Sequence, residues 1–385
     1  MAPPTAAVAA VRTEAPVALF DLQRQRLRLE KEIQSRIHTV LTHGQFILGP
    51  EVDLLEKKLA AFAGVGHAIG VSSGRDALTI SLMALGIGPG DAVFVPSFTF
   101  SATAGAVVSV GATPVFVDVD ENTYNMDPYD LEEAIYETET EGRVRPKAVM
   151  PVDLYGLPAD YRTIGDVASR HGLVMLADAA QSFGGSTGNR RVGALAPITA
   201  TSFYPTKPLG CYGDGGAILT PDARLAESVR QIRSHGRQGD GDVALQLGLT
   251  GRLDTIQAAI LLVKLEVFED ELRRRREIAA RYSAALSDLV RAPTVGVGNE
   301  SANAIYTIRV PDRAAFRAAM EGAGVGTGLF YRLALHQHPA FAHLSHRTLP
   351  VSEMLAREVV SLPVHADLYD DEIDRVIAAA RNALN

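Results

Sequence analysis

From about Ala68 onward the chain alternates short apolar runs with longer segments of helical spacing. Ala68 to Val71, Ala92 to Val95, Val115 to Val119, Ala148 to Val152 and Leu173 to Ala177 each read as a strand. Near-continuous apolar runs of this length suit strands buried on both faces, and their alternation with helices predicts a mostly parallel α/β sheet. Upstream, a mixed charged and apolar pattern from Leu19 to about Thr42 predicts one helix, ended by His43-Gly44. A second helix is expected after Pro50, with Val52, Leu55, Leu59 and Phe62 on one face. Further on, Ala217 to Thr220 reads as a strand and Asp222 to Ser234 as a helix closed by His235-Gly236. Arg237 to Asp242, rich in glycine and charge, reads as a mobile loop, and a long helix is expected from about Leu253 through Leu289. Strand–helix alternation resumes over 290–385. The expected organisation is a disordered tail over 1–16, a large domain over 17–255 with an N-terminal helix, and a linking helix with a smaller α+β domain over 256–385.

Length and composition narrow the class. The chain has 385 residues, long for one domain and suited to a large domain plus a smaller one. A formal charge of −8 argues against a nucleic-acid binder, whose signature is a basic face. The basic run Arg273 to Arg276 lies in a glutamate-rich helical stretch and is expected to be a solvated face. The single cysteine, Cys211, rules out an intrachain disulfide and a cysteine-based zinc site and fits a reducing cytoplasm. No apolar run reaches membrane-spanning length, and residues 1–13 lack the apolar core of a signal peptide.

The chemistry concentrates in two segments. Ser202-Phe203-Tyr204-Pro205-Thr206-Lys207-Pro208-Leu209-Gly210 sets one lysine between two prolines, ahead of Gly213-Asp214-Gly215-Gly216. Prolines fix φ, glycines allow close backbone approach, and an amine held in a partly apolar pocket loses its proton more readily and can attack a carbonyl. An ordinary lysine in a glycine-rich loop has the same sequence signature. The strand ending at Asp178, in Ala177-Asp178-Ala179-Ala180-Gln181, puts a carboxylate at a strand's carboxyl end, where open α/β sheets bind ligands. There it could hold a proton on a heterocyclic nitrogen or simply cap the next helix. Ser72-Ser73-Gly74-Arg75, a turn into a helix, is a natural phosphate site. A nicotinamide-dependent dehydrogenase is excluded, because Gly86-Ile87-Gly88-Pro89-Gly90 precedes a strand and Gly213 to Gly216 has the wrong spacing. Four histidines between His336 and His346 lack a nearby carboxylate or cysteine, and Pro339 breaks their helical spacing, so no metal site is expected.

These segments, with Arg252-Leu253-Asp254-Thr255-Ile256-Gln257-Ala258-Ala259, resemble the DegT/DnrJ/EryC1/StrS sugar aminotransferases, from about Phe20 to the C-terminus. Within that family, His43-Gly44-Gln45-Phe46-Ile47-Leu48-Gly49-Pro50-Glu51 and Lys207 to Tyr212 resemble the UDP-2-acetamido-2-deoxy-3-oxo-glucuronate aminotransferases. The resemblance implies a fold-type I pyridoxal phosphate-dependent transferase. It implies that Lys207 bonds the cofactor, that Asp178 partners the ring nitrogen and that Gln181 meets the phenolic oxygen. Phe100 would stack on the ring, while Ser202 and the Gly74 and Arg75 amides would hold the phosphate. Thr250 stands where relatives often have an asparagine that reaches the neighbouring subunit's phosphate. Arg252, Tyr331 and His336 are expected to contact substrate. L-glutamate would be the amino donor, a nucleotide-linked keto-sugar of glycan or antibiotic assembly the acceptor, and a homodimer the working unit. Lysine at position 207, where some members have histidine, argues against a dehydratase. A UDP-linked 3-keto uronic acid derivative is the first expectation for the sugar. A neutral dTDP- or GDP-keto-deoxysugar is the alternative, since Phe330 and Arg332 depart from the subgroup pattern and Asp153 would repel a uronate if it faced the sugar. An alternative of another class is a cofactor-binding regulator without turnover.

Overall fold

The computed structural model describes residues 15–239, 241–344 and 346–385. Most of the expected tail, together with Asp240 of the Arg237–Asp242 loop, lies outside the described residues. The N-terminal region gives α1 (Leu22–Arg28), α2 (Glu30–His43) and α3 (Pro50–Ala63). The chain continues through β1 (His67–Val71), α4 (Gly74–Ala84), β2 (Asp91–Pro96), α5 (Ala102–Ser109), β3 (Thr113–Val117), α6 (Pro128–Glu141) and β4 (Arg145–Val149). It then runs through α7 (Tyr161–Arg170), β5 (Val174–Asp178), two short strands β6 (Ser186–Thr187) and β7 (Arg190–Arg191), β8 (Ile198–Ser202), β9 (Gly216–Thr220) and α8 (Ala223–Ile232). The 32-residue helix α9 (Thr255–Leu286) leads to β10 (Asn299–Glu300), β11 (Tyr306–Arg309), α10 (Arg313–Gly322), α11 (Pro350–Glu358), β12 (Val359–Leu362) and α12 (Asp370–Leu384).

The expected first helix is two. Asp21 caps α1 by accepting from the Gln23 and Arg24 amides, and the helical path is disturbed at Leu29 (φ −106°, ψ 9°). The hydrogen-bond ladder runs on through this point, from Leu29 N to Gln25 O and from Ile33 N to Leu29 O. The bend turns Leu29 and Ile33 onto Ile260 and Val263 of α9.

Seven strands form the central sheet in the order β1-β9-β8-β5-β4-β2-β3. All pairs are parallel except the two made by β9, which alone runs in reverse. Side chains alternate across the sheet as strand geometry requires. Val93 and Val95 of β2 join Leu176 of β5 under α4, α5 and α8, while Phe94, Met175 and Ala177 face α6 and α7. A third apolar cluster joins Val52, Leu55 and Leu59 of α3 to Leu261 and Leu262 of α9, over Ala217 and Leu219 of β9. The C-terminal elements have their own core of α9's second half, β11, α10, β12 and α12. Val17 belongs to it, pairing in parallel with Val325.

The basic run departs from its expected solvated face at one residue. Arg273, Arg274 and Arg276 make exposed ion pairs with Asp270, Asp370 and Glu300. Arg275 instead is buried and donates to the Val364 and Asn303 carbonyls, tying α9 to the chain after β12. Among the described residues no helix is long and apolar enough to cross a membrane.

One buried ion pair joins α3, β1 and the end of α8. Arg233 Nη1 lies 2.5 Å from Glu56 Oε1 and donates to Gly70 O, while the Gly70 amide donates to the same Glu56 oxygen at 2.8 Å. Breaking a buried pair by removing one partner leaves an uncompensated charge and costs about 3–5 kcal/mol. Glu56→Ala is therefore expected to lower unfolding stability by about that amount. Urea titration checks this, and a loss comparable to an exposed pair, below about 1 kcal/mol, contradicts it.

Candidate active site

The carboxyl ends of β1, β2, β5 and β8 converge on one cavity of about 330 Å³. Each strand contributes its exit turn: Ser73 to Arg75 after β1, Thr99 and Phe100 after β2, Asp178 on β5 and Ser202 on β8. This is the edge at which open α/β sheets collect ligands. Eight of the residues singled out from the sequence line it: Gly74, Arg75, Phe100, Asp178, Gln181, Ser202, Lys207 and Tyr331.

Lys207 rises from the connection between β8 and the reversed strand β9. Ser202 pairs with Gly216 across this hairpin, Cys211 N donates to Phe203 O at 2.8 Å, and Lys207 N donates to Tyr204 O at 2.8 Å. Phe203 is fully buried against Phe183, so the base of the loop is held by packing as well. Gly210 has no alternative residue, because a Cβ there would collide with the Pro205 carbonyl. Burial draws the Lys207 pKa down to about 8, opposed by the charge of Asp178.

Asp178 is 5 % exposed. Its carboxylate accepts from Thr103 Oγ1 at 2.8 Å and from the Ala180 amide at 3.2 Å. Burial raises its pKa, while those hydrogen bonds and then Lys207 pull it back. An amine whose proton is loosened and a carboxylate with a fixed orientation thus face one cavity, an arrangement suited to proton transfer.

Around this pair the remaining groups are already oriented. Gln181 Oε1 accepts from the Tyr155 amide at 2.6 Å, which leaves its Nε2 to donate to Tyr331 Oη at 3.1 Å. Tyr155 holds this position with φ at +60°, and its hydroxyl donates to the Phe330 carbonyl. The Phe100 ring, 56 % exposed, lies 5.9 Å from that of Tyr331, forming an aromatic wall. At the opposite end α4 begins against β8: a Cβ on Gly74 would come within 2.6 Å of the Ser202 Cβ. The Arg75 guanidinium is drawn onto α5, donating to Ser109 Oγ at 2.9 Å.

Three expected residues do not line the cavity. His336 is buried beyond β2, with Nδ1 2.7 Å from Ser97 Oγ and Nε2 3.2 Å from Glu353. Thr250 Oγ1 lies 3.3 Å from His235 Nε2, and the backbone of Arg252 bridges Val71. Asp153, which would repel a uronate only if it faced the sugar, is fully buried below the cavity floor. It accepts from Ser182 Oγ, Tyr161 Oη and the Ala159 amide, and burial lifts its pKa to about 7. Sequence reasoning passes over Thr103 and Tyr155, the residues that orient Asp178 and Gln181. Thr103 follows Phe100 at helical spacing, the only sign of it in the sequence.

Residues 27–381 match the DegT/DnrJ/EryC1/StrS aminotransferase family. The chain is 45 % identical to UDP-2-acetamido-2-deoxy-3-oxo-D-glucuronate aminotransferase of Pseudomonas aeruginosa, over 95 % of this chain and 100 % of that protein. It is 39 % identical to dTDP-3-amino-3,4,6-trideoxy-alpha-D-glucose transaminase of Streptomyces venezuelae, over 96 % and 98 %. In three dimensions it superimposes on a DegT DnrJ EryC1 StrS aminotransferase from Brucella abortus with a TM-score of 0.94 and 47 % identity, covering 96 % of this chain and 100 % of that one. A NtdA structure from Bacillus subtilis with bound cofactor PMP gives 0.89 at 29 % identity, covering 98 % and 87 %. The lysine and carboxylate that face one cavity at the sheet edge and the match along nearly the whole chain lead to one conclusion: this chain belongs to the DegT/DnrJ/EryC1/StrS aminotransferase family.

Proposed function

We propose that the chain is a pyridoxal phosphate-dependent aminotransferase that moves the amino group of L-glutamate to a nucleotide-linked keto-sugar, a UDP-3-keto uronic acid derivative. The observation that carries this is the pairing of Lys207 with Asp178 across one cavity whose far end is a helix start. The residues present fit the cofactor. Asp178, oriented by Thr103, can hold a proton on the pyridine nitrogen, and Gln181, with its oxygen tied to Tyr155, turns its amide donor towards a phenolic oxygen. Ser202 and the Gly74 and Arg75 amides at the start of α4 offer a phosphate cradle. Phe100 and Tyr331 supply aromatic faces for a flat ring.

Bound pyridoxal phosphate supplies the electron sink for the carbanion at the donor's Cα. Lys207 Nζ, its proton loosened by desolvation, would hold the cofactor and would serve as the base and acid for the proton at the donor's Cα. The resemblance implies substrate contacts from Tyr331, Arg252 and His336. Of these Tyr331 stands at the cavity, so we assign it to the sugar, and His336 serves as a buried support of β2's exit. The uronate gains support from Asp153: its carboxylate is enclosed by Ser182, Tyr161 and Ala159, and the repulsion that would favour a neutral sugar is absent from the cavity. The proposal includes a large domain over 17–255, a small one over 256–385 and a cytoplasmic location, compatible with the lone buried thiol of Cys211.

We also propose a homodimer. Phe46, Ile47 and Leu48 are consecutive and 47 %, 48 % and 39 % exposed, and Leu247, three residues before Thr250, is 87 % exposed; these are apolar groups that pairing of two copies would cover.

Purified protein reconstituted with cofactor is expected to be yellow, and borohydride should fix the cofactor on the peptide containing Lys207. Lys207→Ala should lower turnover by several orders of magnitude, the loss typical of a missing nucleophile or base. A colourless reconstituted protein, or an active alanine variant, would overturn the assignment of Lys207, whereas a yellow protein that aminates no keto-sugar nucleotide would favour the regulator without turnover. For the sugar, kcat/KM is compared between the uronate and its neutral 6-deoxy counterpart in wild type and Arg252→Ala. Preference for the uronate is expected. If the neutral sugar wins in both proteins, the uronate is excluded and the aminotransferase stands. Analytical ultracentrifugation should show an active dimer, and an active monomer rules it out.

A further inference from the structure

Lys264, on α9, is a buried lysine, only 2 % exposed. Its Nζ donates to the Gly210 carbonyl at 2.6 Å and sits 4.3 Å from the centre of the Tyr212 ring. Among the described residues no carboxylate lies within ion-pair distance of it. Glu271, two turns further along α9, is taken by Arg28 at 2.5 Å and by Gln25 at 2.8 Å. Burial accordingly draws the Lys264 pKa down to about 8. Enclosing an ammonium without a counter-ion is costly, and apolar neighbours on α9 such as Leu261 and Leu262 show what packing alone selects there.

What the ammonium touches is the end of the lysine loop. Only Pro208 and Leu209 separate Lys207 from Gly210. Pro208 has a fixed φ, Leu209 is buried, and Gly210 is pressed against the Pro205 carbonyl. Few free torsions lie between the Gly210 carbonyl and the Lys207 Cα, so holding one places the other. We propose that Lys264 is a positioning residue for this aminotransferase chemistry: by fixing the Gly210 carbonyl from α9, it sets where the Lys207 amine stands opposite Asp178.

The inference rests on the assignment of Lys207 as the cofactor-bonding residue. Its test is Lys264→Met, which keeps the side chain's length and apolar stem while removing the donor. Three readouts are compared with wild type: melting temperature of the cofactor-free protein, the rate at which it captures pyridoxal phosphate into the visible band, and kcat against KM. The expected result is an unchanged or higher melting temperature, with capture rate and kcat both lower by about 10- to 100-fold and KM within about threefold. A displacement of order 1 Å at a reacting group is enough for such a loss. Capture and kcat within about twofold of wild type overturn the proposal, as does a melting temperature that falls in step with activity, which would make Lys264 a purely structural clamp. Should the methionine variant not fold, Lys264→Gln is put through the same measurements, and the same results support or overturn the role. A colourless wild type defeats the Lys207 assignment itself, whereas a coloured wild type with an unperturbed variant defeats only the role of Lys264.

Discussion

Lys207 is held by a loop, and a loop has no repeating hydrogen bonds with which to hold anything. Residues 203–215 meet this constraint by being the connection of a tight antiparallel pair, with Ser202 and Gly216 joined at its base. Within it Phe203 is buried in an apolar cluster, two prolines fix the path around Lys207, and Lys264 grips the far end. The reversed direction of β9 follows from this. A parallel strand would require a long crossover, and a crossover would leave the lysine on a span without a closed base. The rest of the cavity is then built from exit turns of parallel strands, whose positions the sheet already sets.

The second half of the site depends on donors and acceptors that are used in one direction only. Gln181 can present its amide nitrogen because its oxygen is occupied by a backbone amide, and Asp178 keeps its rotamer because Thr103 and Ala180 hold both its oxygens. Both side chains are thus oriented on the protein side before a ligand arrives, which limits the reorganisation left for binding. The N-terminal segment joins in through charge. Arg24 pairs with Glu372 and Arg28 with Glu271, and these pairs seat the chain that brings Phe20 to the cavity wall.

Much of this is legible in the sequence because the signals are local. Strands buried on both faces write themselves as apolar runs, and Asp178 and Lys207 are each set off by unusual neighbours. What stays hidden is decided by tertiary contacts. β8, in Ile198-Thr199-Ala200-Thr201-Ser202, is broken by threonines that look solvent-facing, yet both are buried; Thr201 donates to the Ala179 carbonyl. His336 resembles a ligand-binding histidine until Ser97 and Glu353 are seen on either side of it. Asp153 reads as a charge in a cleft because the sequence does not show Tyr161 and Ser182 closing over it. Arg275 is the same error in reverse, a buried arginine inside what looks like a solvated run. The helix break at Leu29 has no proline or glycine to announce it and follows from the way α1 and α2 lie on α9.

The place of β9 in the sheet also bears on how the chain is made. β1 occupies the sheet's edge, and its neighbour there is β9, which follows it by about 145 residues, from Val71 to Gly216. At synthesis rates of roughly 5–20 residues per second, that separation is on the order of 7 to 30 seconds. The start of α4, where the phosphate cradle is proposed, therefore leaves the ribosome well before β9, the strand that joins β1 to β8. Until β9 arrives, β2 through β5 can assemble as a parallel core while β1 waits with an open edge, and the same few residues that close the lysine loop also end that wait.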